Sequence, residues 1–514
     1  MKKFLLSAAT LFAASSAFAG GYLTNTNQSV AFLRNPARLA TFELDGAYSN
    51  PAGLAWLGEG WHFGLNIQNA AQTREITSTY APFEKNIFHK DQATKLFKGE
   101  ASAPVIPSFD IAYQKDKWTI STHFGITGGG GKATFNQGLP MFEASVAYPF
   151  FCTNAVIDGL NQVNKVMGMS PIDKPNAYQM ETYMSGRQYI FGLQAGLTYK
   201  IFDNVGSMKQ GLSVHLGARM NFASNAYEGY LRNLDIVGNK GYHFPLQKFI
   251  SHTAKDAQKM AEMLKNVPGK EDLVKAFATH AATLEGVASQ MTDKELDCTQ
   301  KGWGIAPIIG VDYRIGDFNL GMRYEFMTNM NIENKTKVNS TGIPSFNGGV
   351  NTPNDIPGIL SIGGQYNILD KVRVMAGWNC YFDKQAGMGG KEKYLNHNTH
   401  EITAGAEWDI NDRLTVSGGY QNTDYGTSDA FQSDLSFHCD SYSLGFGAKM
   451  KIRKNLALEI AYFWTNYKDY EVNSNDYFQS KSPVALPEGH VVIPGKDVLA
   501  RTNRVFGLGV TYSL

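Results

Sequence analysis

The sequence predicts an all-β fold, a transmembrane antiparallel β-barrel of about fourteen strands with an N-terminal luminal hatch and a helical extracellular loop. Three observations predict the barrel: an export signal, a two-residue alternation of apolar with small polar side chains, and short turns that alternate with long loops.

The export signal occupies residues 1–19. Lys2 and Lys3 precede an apolar run from Phe4 to Ala14, and Ala17-Phe18-Ala19 is a small-x-small cleavage pattern that makes Gly20 the expected mature start. No later stretch reaches the roughly 18 apolar residues that a membrane helix needs. Mean hydropathy is −0.27, which argues against a bundle of such helices. The 12 % aromatic content and 52 glycines, with only 18 % charged residues, lean toward β-structure. A net charge of +1 gives no reason to expect a nucleic acid or another polyanion as partner. No cofactor motif is present.

Alternation carries the fold. Tyr189, Phe191, Leu193, Ala195, Leu197 and Tyr199 share one face, with Gly192, Gln194, Gly196 and Thr198 on the other. Leu212, Val214, Leu216, Ala218, Met220 and Phe222 oppose Ser213, His215, Gly217, Arg219 and Asn221. Phe318, Leu320, Met322, Tyr324 and Phe326 oppose Asn319, Gly321, Arg323 and Glu325, and the last strand aligns Phe506, Leu508, Val510, Tyr512 and Leu514. The second face is rich in Gly, Ser, Asn and Gln rather than in Lys, Glu and Thr, which suits a lumen better than the solvated face of a sandwich.

Short polar turns recur at residues 115–117, 316–317, 369–371, 411–412 and 453–455, with much longer connections between them. Strands are therefore expected near 61–72, 106–115, 117–127, 187–200, 210–223, 303–315, 317–331, 357–368, 371–382, 399–410, 413–424, 439–452, 455–470 and 500–514. The even number returns both ends to one side of the membrane. Pro307 conflicts with a continuous sixth strand, because proline brings no donor to the ladder. It reads as a bulge or a later strand start, and a break in the wall is the functional reading.

Residues 20–60 precede the barrel 61–514 and contain two echoing strings, NPARLA at Asn35 to Ala40 and NPAGLA at Asn50 to Ala55. About forty residues is too few to fold alone, and the lumen is the natural place for them to pack. Gly128, Gly129, Gly130 and Gly131 end the third strand, as a loop hinge or a gap in the wall. Within the external insertion 225–302, Ala257, Met260, Ala261, Leu264 and Val267 recur at helical spacing, as do Leu273, Phe277, Ala281, Leu284, Ala288 and Met291 beyond Pro268-Gly269. Two helices there either cap the barrel or present Met260, Leu264, Phe277 and Leu284 as an apolar capture groove. Of the four cysteines, Cys152 and Cys298 are the expected pair if a disulfide forms, because both fall in long loops; Cys380 and Cys439 complete the set.

The string DGAYSNPAGLAWL, from Asp45 to Leu57, resembles the signature of the long-chain fatty acid (FadL-like) outer-membrane transporter family. The strand layout and helical loop extend that resemblance over most of the chain. The resemblance implies a fourteen-stranded barrel plugged by an N-terminal hatch, with Asn50, Pro51, Ala52 and Gly53 as the hatch motif. It implies capture of hydrophobic ligands at the outer face and sideways release through a gap beside an interrupted third strand, near Gly128 to Gly131. The chain departs from the commonest outer-membrane ending, a terminal aromatic, because it ends in Leu514.

The implied function is transport of hydrophobic compounds, with long-chain fatty acids first among them, in the outer membrane of a Gram-negative bacterium. Expected partners are that small molecule, outer-membrane lipids and the barrel assembly machinery. A water-filled pore is a poor path for such a ligand, since each methylene loses about 0.8 kcal/mol on exposure. A fatty acid carboxylate needs a cation, and Arg219 and Arg323 are lumen-facing candidates. Their alternative role is pairing with Asp312, Glu325 or Glu459. Other readings are a general diffusion porin, a surface adhesin and, less favoured, a lipase. No serine elbow accompanies His123 or His215, and the His397/His400 pair has no third metal ligand, so neither an enzyme nor a metal site is expected.

Overall fold

A computed structural model describes residues 27, 29–89, 91–239, 241–482, 486 and 489–514. The expected export signal lies outside the described residues. One antiparallel sheet closes on itself through pairing of the first strand with the last. Among the described residues the wall has fourteen strands. These are β1 (Gly60–Tyr80), β2 (Thr94–Lys115), β3 (Trp118–Phe135), β4 (Ala177–Val205), β5 (Gln210–Val237) and β6 (Lys294–Ile315). Next come β7 (Phe318–Glu325, resuming as Asn331–Asn339), β8 (Asn351–Pro353, resuming as Ile359–Leu369), β9 (Val372–Tyr381) and β10 (Thr399–Asp409). The circuit ends with β11 (Leu414–Asp424), β12 (Ser441–Arg453), β13 (Leu456–Tyr467, resuming as Tyr470–Ser474) and β14 (Gly495–Ser513).

The outward face is an apolar belt. Leu193, Leu216, Ile309, Leu320, Met322 and Leu508 are all exposed on it. Trp61, Trp118 and Trp408 are exposed near the short-turn end, and Trp303, Trp464 and Tyr442 near the opposite boundary. Such aromatic girdles flanking an apolar band are what a bilayer-spanning barrel presents.

Every expected strand is present, but the first seven extend further than the alternation suggested. β1 continues to Tyr80 rather than 72, β2 begins at Thr94 rather than 106, and β4 begins at Ala177 rather than 187. β5 continues to Val237 and β6 begins at Lys294, so the largest loop is 238–293 and not 225–302. The reason is an inversion of the pattern. Above the belt the outside is water and the inside is a greasy cap. Thr77, Thr79 and Lys98 therefore face outward, while Ile76, Tyr80 and Phe97 point into the hydrophobic core. An apolar-outward rule fails once lipid no longer surrounds the wall.

The cap is helical. α3 (Pro140–Val166), which carries no clear periodicity, was not expected; its first eleven residues are buried on every side. α4 (Leu246–Leu264) and α5 (Glu271–Ala288) fill the next loop, broken by Gly269 at φ 74°. Met260, Leu264 and Phe277 pack in one core with Leu160 of α3, and Leu284 joins the larger core beneath. The four side chains therefore hold the cap together and do not line an open groove. Glu143 of α3 is fully buried and is bound by Lys95, by Asn86 at 2.9 Å and by Tyr178 at 3.2 Å, which ties the cap to the wall. The four cysteines are free, so the expected Cys152–Cys298 bridge does not form; Cys298 instead accepts from Thr336 at 3.2 Å.

Pro307 stays in register, opposite Ala218. The irregularity falls on the next strand instead. β7 leaves the ladder between Glu325 and Asn331, and Phe326 donates to the Pro307 carbonyl at 3.0 Å. The gap is closed by contact: a Cβ on Gly304 would sit 2.5 Å from the Asn329 carbonyl oxygen.

Replacing Glu143 with Ala leaves Lys95 buried without its partner, which costs about 3–5 kcal/mol. The expected result is faster proteolytic cleavage within residues 136–176 while the barrel keeps its heat-resistant gel mobility. Unchanged cleavage would show that the cap does not depend on this anchor.

Candidate functional site

Residues 29–59 lie inside the barrel. α1 (Val30–Arg34) is capped by Ser29, whose hydroxyl accepts from the Phe32 amide at 3.0 Å. α2 (Gly46–Ser49) leads into a 3₁₀ turn, Pro51–Trp56, with proline at its start where no donor is needed. Asn50 donates to the Thr41 carbonyl at 2.9 Å and to Asp312 at 2.6 Å, and the indole of Trp56 reaches the other Asp312 oxygen at 2.7 Å. Thr198 and Ser213 donate to the carbonyls of Pro51 and Ala52 at 2.8 and 2.7 Å. A Cβ on Gly53 would lie 2.4 Å from the Thr41 carbonyl oxygen. Asn50, Pro51 and Ala52 thus fix the turn against β6, β4 and β5, while Gly53 lets the turn close against Thr41 of the same segment.

The other echo, Asn35 to Ala40, sits against the opposite wall. Arg34, just before the string, and Arg38, within it, are both buried. Arg34 pairs with Glu407, Glu459 (2.9 Å) and Glu43 (3.3 Å). Arg38 grips Asp45 through two bonds, at 2.9 and 2.8 Å, and reaches Glu407 at 3.1 Å and Glu43 at 2.9 Å. Lys449 and Arg373 bring the wall's own cations to Glu43 and Glu407, at 2.9 and 2.7 Å. The lumen-facing glycines make this packing possible. A side chain at Gly405 would sit 2.0 Å from Asn35 Oδ1, and one at Gly445 would sit 2.3 Å from the Leu33 carbonyl oxygen.

The wall is interrupted on the other side. β2 and β3 pair from Gly99 to Ala101 and again from Phe109 to Lys115, but not between. On β3, Ile126 to Gly131 faces only Gln188 to Phe191 of β4, so two extra residues bulge out. Gly129 has φ 94° and its Cβ would meet the Gln188 carbonyl oxygen at 2.3 Å, so only glycine fits. On β2 the unpaired stretch holds Pro104 and Pro107, which bring no N–H to the ladder. A cavity of about 80 Å³ adjoins this opening, lined by Ala70, Ile106, Ile126, Gly129, Gly131 and Val505 among others. Val105 stands on the outer lip, exposed.

A second cavity, of about 390 Å³, lies nearer the outer face between Met141, Leu435, Val472 and Leu499. Lys481 on its wall pairs with both Asp434 and Asp497. Between the two cavities the loop 425–440 folds inward, with Phe437 fully buried. Arg74 donates to the Leu435 carbonyl at 3.4 Å and lies 5.9 Å from the Phe437 ring centre. Arg501 stands opposite Arg74 in the sheet and packs 4.9 Å from the Tyr467 ring centre. Burial, followed by the charges of Arg501, Arg74 and Lys391, holds the His438 imidazole well below its usual value. His438 is therefore neutral, with Arg501, Arg74 and Lys391 as the cations around it.

No protein-family model matches the sequence, and no curated protein matches it. Among solved structures the chain is similar to a Pseudomonas aeruginosa FadL homologue, at 12 % identity over 96 % of this chain and 99 % of that one, with a TM-score of 0.57. The chain has the FadL fold. It is also similar to a TodX deltaS2S3 mutant, a monoaromatic hydrocarbon channel, at 12 % identity over 96 % of this chain and 100 % of that one, with a TM-score of 0.51.

Within this FadL fold the two sequence-nominated arginines are already engaged. Arg219 binds Glu325 at 2.7 Å and Gln194 at 2.7 Å, and lies 4.7 Å from the Tyr48 ring centre. Arg323 donates to the Tyr48 carbonyl and stacks 5.4 Å from the same ring. Both clamp the N-terminal segment. Asp312 meets Asn50, Trp56 and Asn319 rather than an arginine, while Glu459 is paired with Arg34. His123 contacts Asp110 at 2.7 Å, His215 contacts Thr198 at 2.8 Å, and the His397 and His400 rings stack at 6.0 Å. Sequence reasoning passed over Arg34, Arg38, Pro104, Pro107, Arg74 and Arg501. Only the two prolines carried a local signal, their spacing inside a β-run.

Arg38→Ala would strand Asp45 in the lumen and leave Glu407 with two of its three arginines. The N-terminal segment is expected to loosen, at a cost of about 3–5 kcal/mol, and single-channel conductance in planar bilayers should rise. Conductance equal to wild type would show that the ion network does not hold the plug.

Proposed function

We propose that this chain is an outer-membrane transporter of hydrophobic compounds, long-chain fatty acids first among them, that captures its ligand at the outer face and releases it sideways into the membrane. Residues 29–59 act as the hatch that blocks the axial route. The single observation that carries the reading is the interruption of the wall between β2 and β3, next to an internal cavity and above a fastened plug. A solute leaving there meets lipid instead of periplasmic water, so its apolar surface is never hydrated. Gly128 to Gly131 form the gap on the β3 side, and Pro104 and Pro107 form it on the β2 side.

A porin reading fits less well, because buried ion pairs and hydrogen bonds hold the lumen shut. The FadL homologue and the aromatic-hydrocarbon channel share this fold, so fold alone does not choose between an acid and a neutral hydrocarbon. The cationic lumen around Arg74 and Arg501 favours the acid.

Deleting Gly129 and Gly130 while replacing Pro104 and Pro107 with Thr removes the two-residue bulge and restores two donors. Uptake of a panel of fatty acids and aromatic hydrocarbons by cells carrying this variant is expected to fall to the level of cells lacking the protein. Bilayer conductance should stay at the wild-type value. Uptake that persists with a sealed wall would overturn lateral release. An Asn50/Pro51 double substitution should instead alter conductance, and absence of binding and uptake for every compound in the wild type would end the transporter reading.

A further inference from the structure

We infer that Lys132, Arg187 and Arg504 form a docking site on the outside of the barrel for the phosphates of an outer-leaflet glycolipid, which lies across the outer lip of the wall opening. The site needs only a barrel seated in an outer membrane and stands whatever the barrel carries.

The three cations share one outward row. Arg504 of β14 stands opposite Ala71 of β1, and Ala71 stands opposite Ser102 of β2. The Ala101–Ala133 pair carries the register on to Ser102 and Lys132, where the ladder has just opened. Lys132 in turn stands directly opposite Arg187 of β4. Their direction follows from their neighbours. Phe135 and Met184 point into the core, so Lys132 and Arg187, three residues away on each strand, point out. Arg504 is exposed between the buried Asn503 and Val505.

The row marks the upper boundary of the belt. Below it the outward side chains are apolar, as at Ile67, Leu193 and Phe506. Above it they are polar, as at Thr79, Lys98 and Glu181. Trp464 stands opposite Arg504, and the Tyr189 ring centre lies 5.8 Å from the Arg187 guanidinium. Such interfacial aromatics sit at headgroup level, so the cations meet lipid headgroups rather than acyl chains.

The charges in this row are unspent. Lys132 and Arg187 are like charges directly opposed, which destabilises a sheet pair. Other outward cations above the belt are neutralised: Lys98 by Glu100 at 2.9 Å, Arg232 by Glu181 at 3.0 Å, Lys337 by Asp297 at 2.9 Å and Lys496 by Glu471 at 2.8 Å. Among the described residues no carboxylate lies within ion-pair distance of Lys132, Arg187 or Arg504, and the Arg187 Nε has no acceptor. The nearest carboxylates by register, Glu100 and Glu228, stand two positions further from the belt, and Glu100 is already held by Lys98. A phosphate between Lys132 and Arg187 relieves their repulsion and accepts from both. Arg504 stands three strands from Lys132, about 14 Å at roughly 4.8 Å per strand. A sugar head with a phosphate at each end can span that distance over the small side chains of Ala71 and Ser102. Its acyl chains then descend past Val105 at the lip, so a solute emerging there meets them first.

The test uses the full chain in detergent micelles, with diphosphoryl lipid A, its dephosphorylated form and inorganic phosphate as probes and affinity read by native mass spectrometry. For K132Q/R187Q/R504Q, affinity for diphosphoryl lipid A is expected to fall by about tenfold or more, the scale set by several interfacial cations. K132R/R187K, which keeps the charge, and K337Q, which removes a cation already paired with Asp297, should bind as the wild type. The dephosphorylated lipid should bind wild type and triple variant equally weakly. If the triple variant does not fold, K132Q alone carries the test, with a fall of about fivefold. Unchanged affinity in the variant, or equal affinity of the wild type for the two lipids, overturns the site. Inorganic phosphate that binds as tightly as the lipid overturns its assignment to a glycolipid.

Discussion

The structure depends on filling a cylinder that its own wall cannot fill. A fourteen-stranded barrel encloses more space than inward side chains occupy, and much of this wall presents glycine, serine or threonine inward. The N-terminal segment supplies the missing volume, and buried ion pairs centred on Arg34 and Arg38 fix it there. The same burial that makes these charges costly in isolation makes each pairing exacting, since no water is at hand to replace a lost partner. The glycines of β10 and β12 follow from the same constraint. The plug backbone and side chains come so close to Gly405 and Gly445 that any Cβ would collide.

With the N-terminal segment in the lumen, the lateral release proposed above needs an opening in the wall. A closed sheet does not open at random. It opens where backbone donors are missing on one strand and where a bulge carries the other away. Pro104 and Pro107 satisfy the first condition and Gly128 to Gly131 the second, at the same height. The irregularity below Pro307 shows what happens when only one condition is met. There the neighbouring strand leaves the ladder, yet Asn329 packs against Gly304 and the wall stays shut.

Much of the fold was legible in the chain. Within the belt, one face must meet lipid, so Leu193, Leu216 and Leu320 could be placed outward from spacing alone. The turn positions and strand number followed from the same pattern. The upper halves of β1 to β7 were not legible, because there the outside is water and the apolar side chains, such as Ile76 and Phe97, turn inward. α3 was missed because its first eleven residues are buried on all sides and carry no polar stripe to set a period.

The sequence by itself determined the alternating wall, the turn positions, the tetraglycine and the Asn-Pro turns of the plug, because each is a local consequence of backbone geometry or of one-sided burial. Only the tertiary structure decided which charges meet. Arg34 finds Glu459 across more than four hundred residues of chain, Arg219 is spent on Glu325, and Arg74 and Arg501 stand opposite each other on paired strands. Alternation says that a side chain points into the lumen. It does not say what stands opposite, because that depends on barrel closure and on where a separate segment comes to rest.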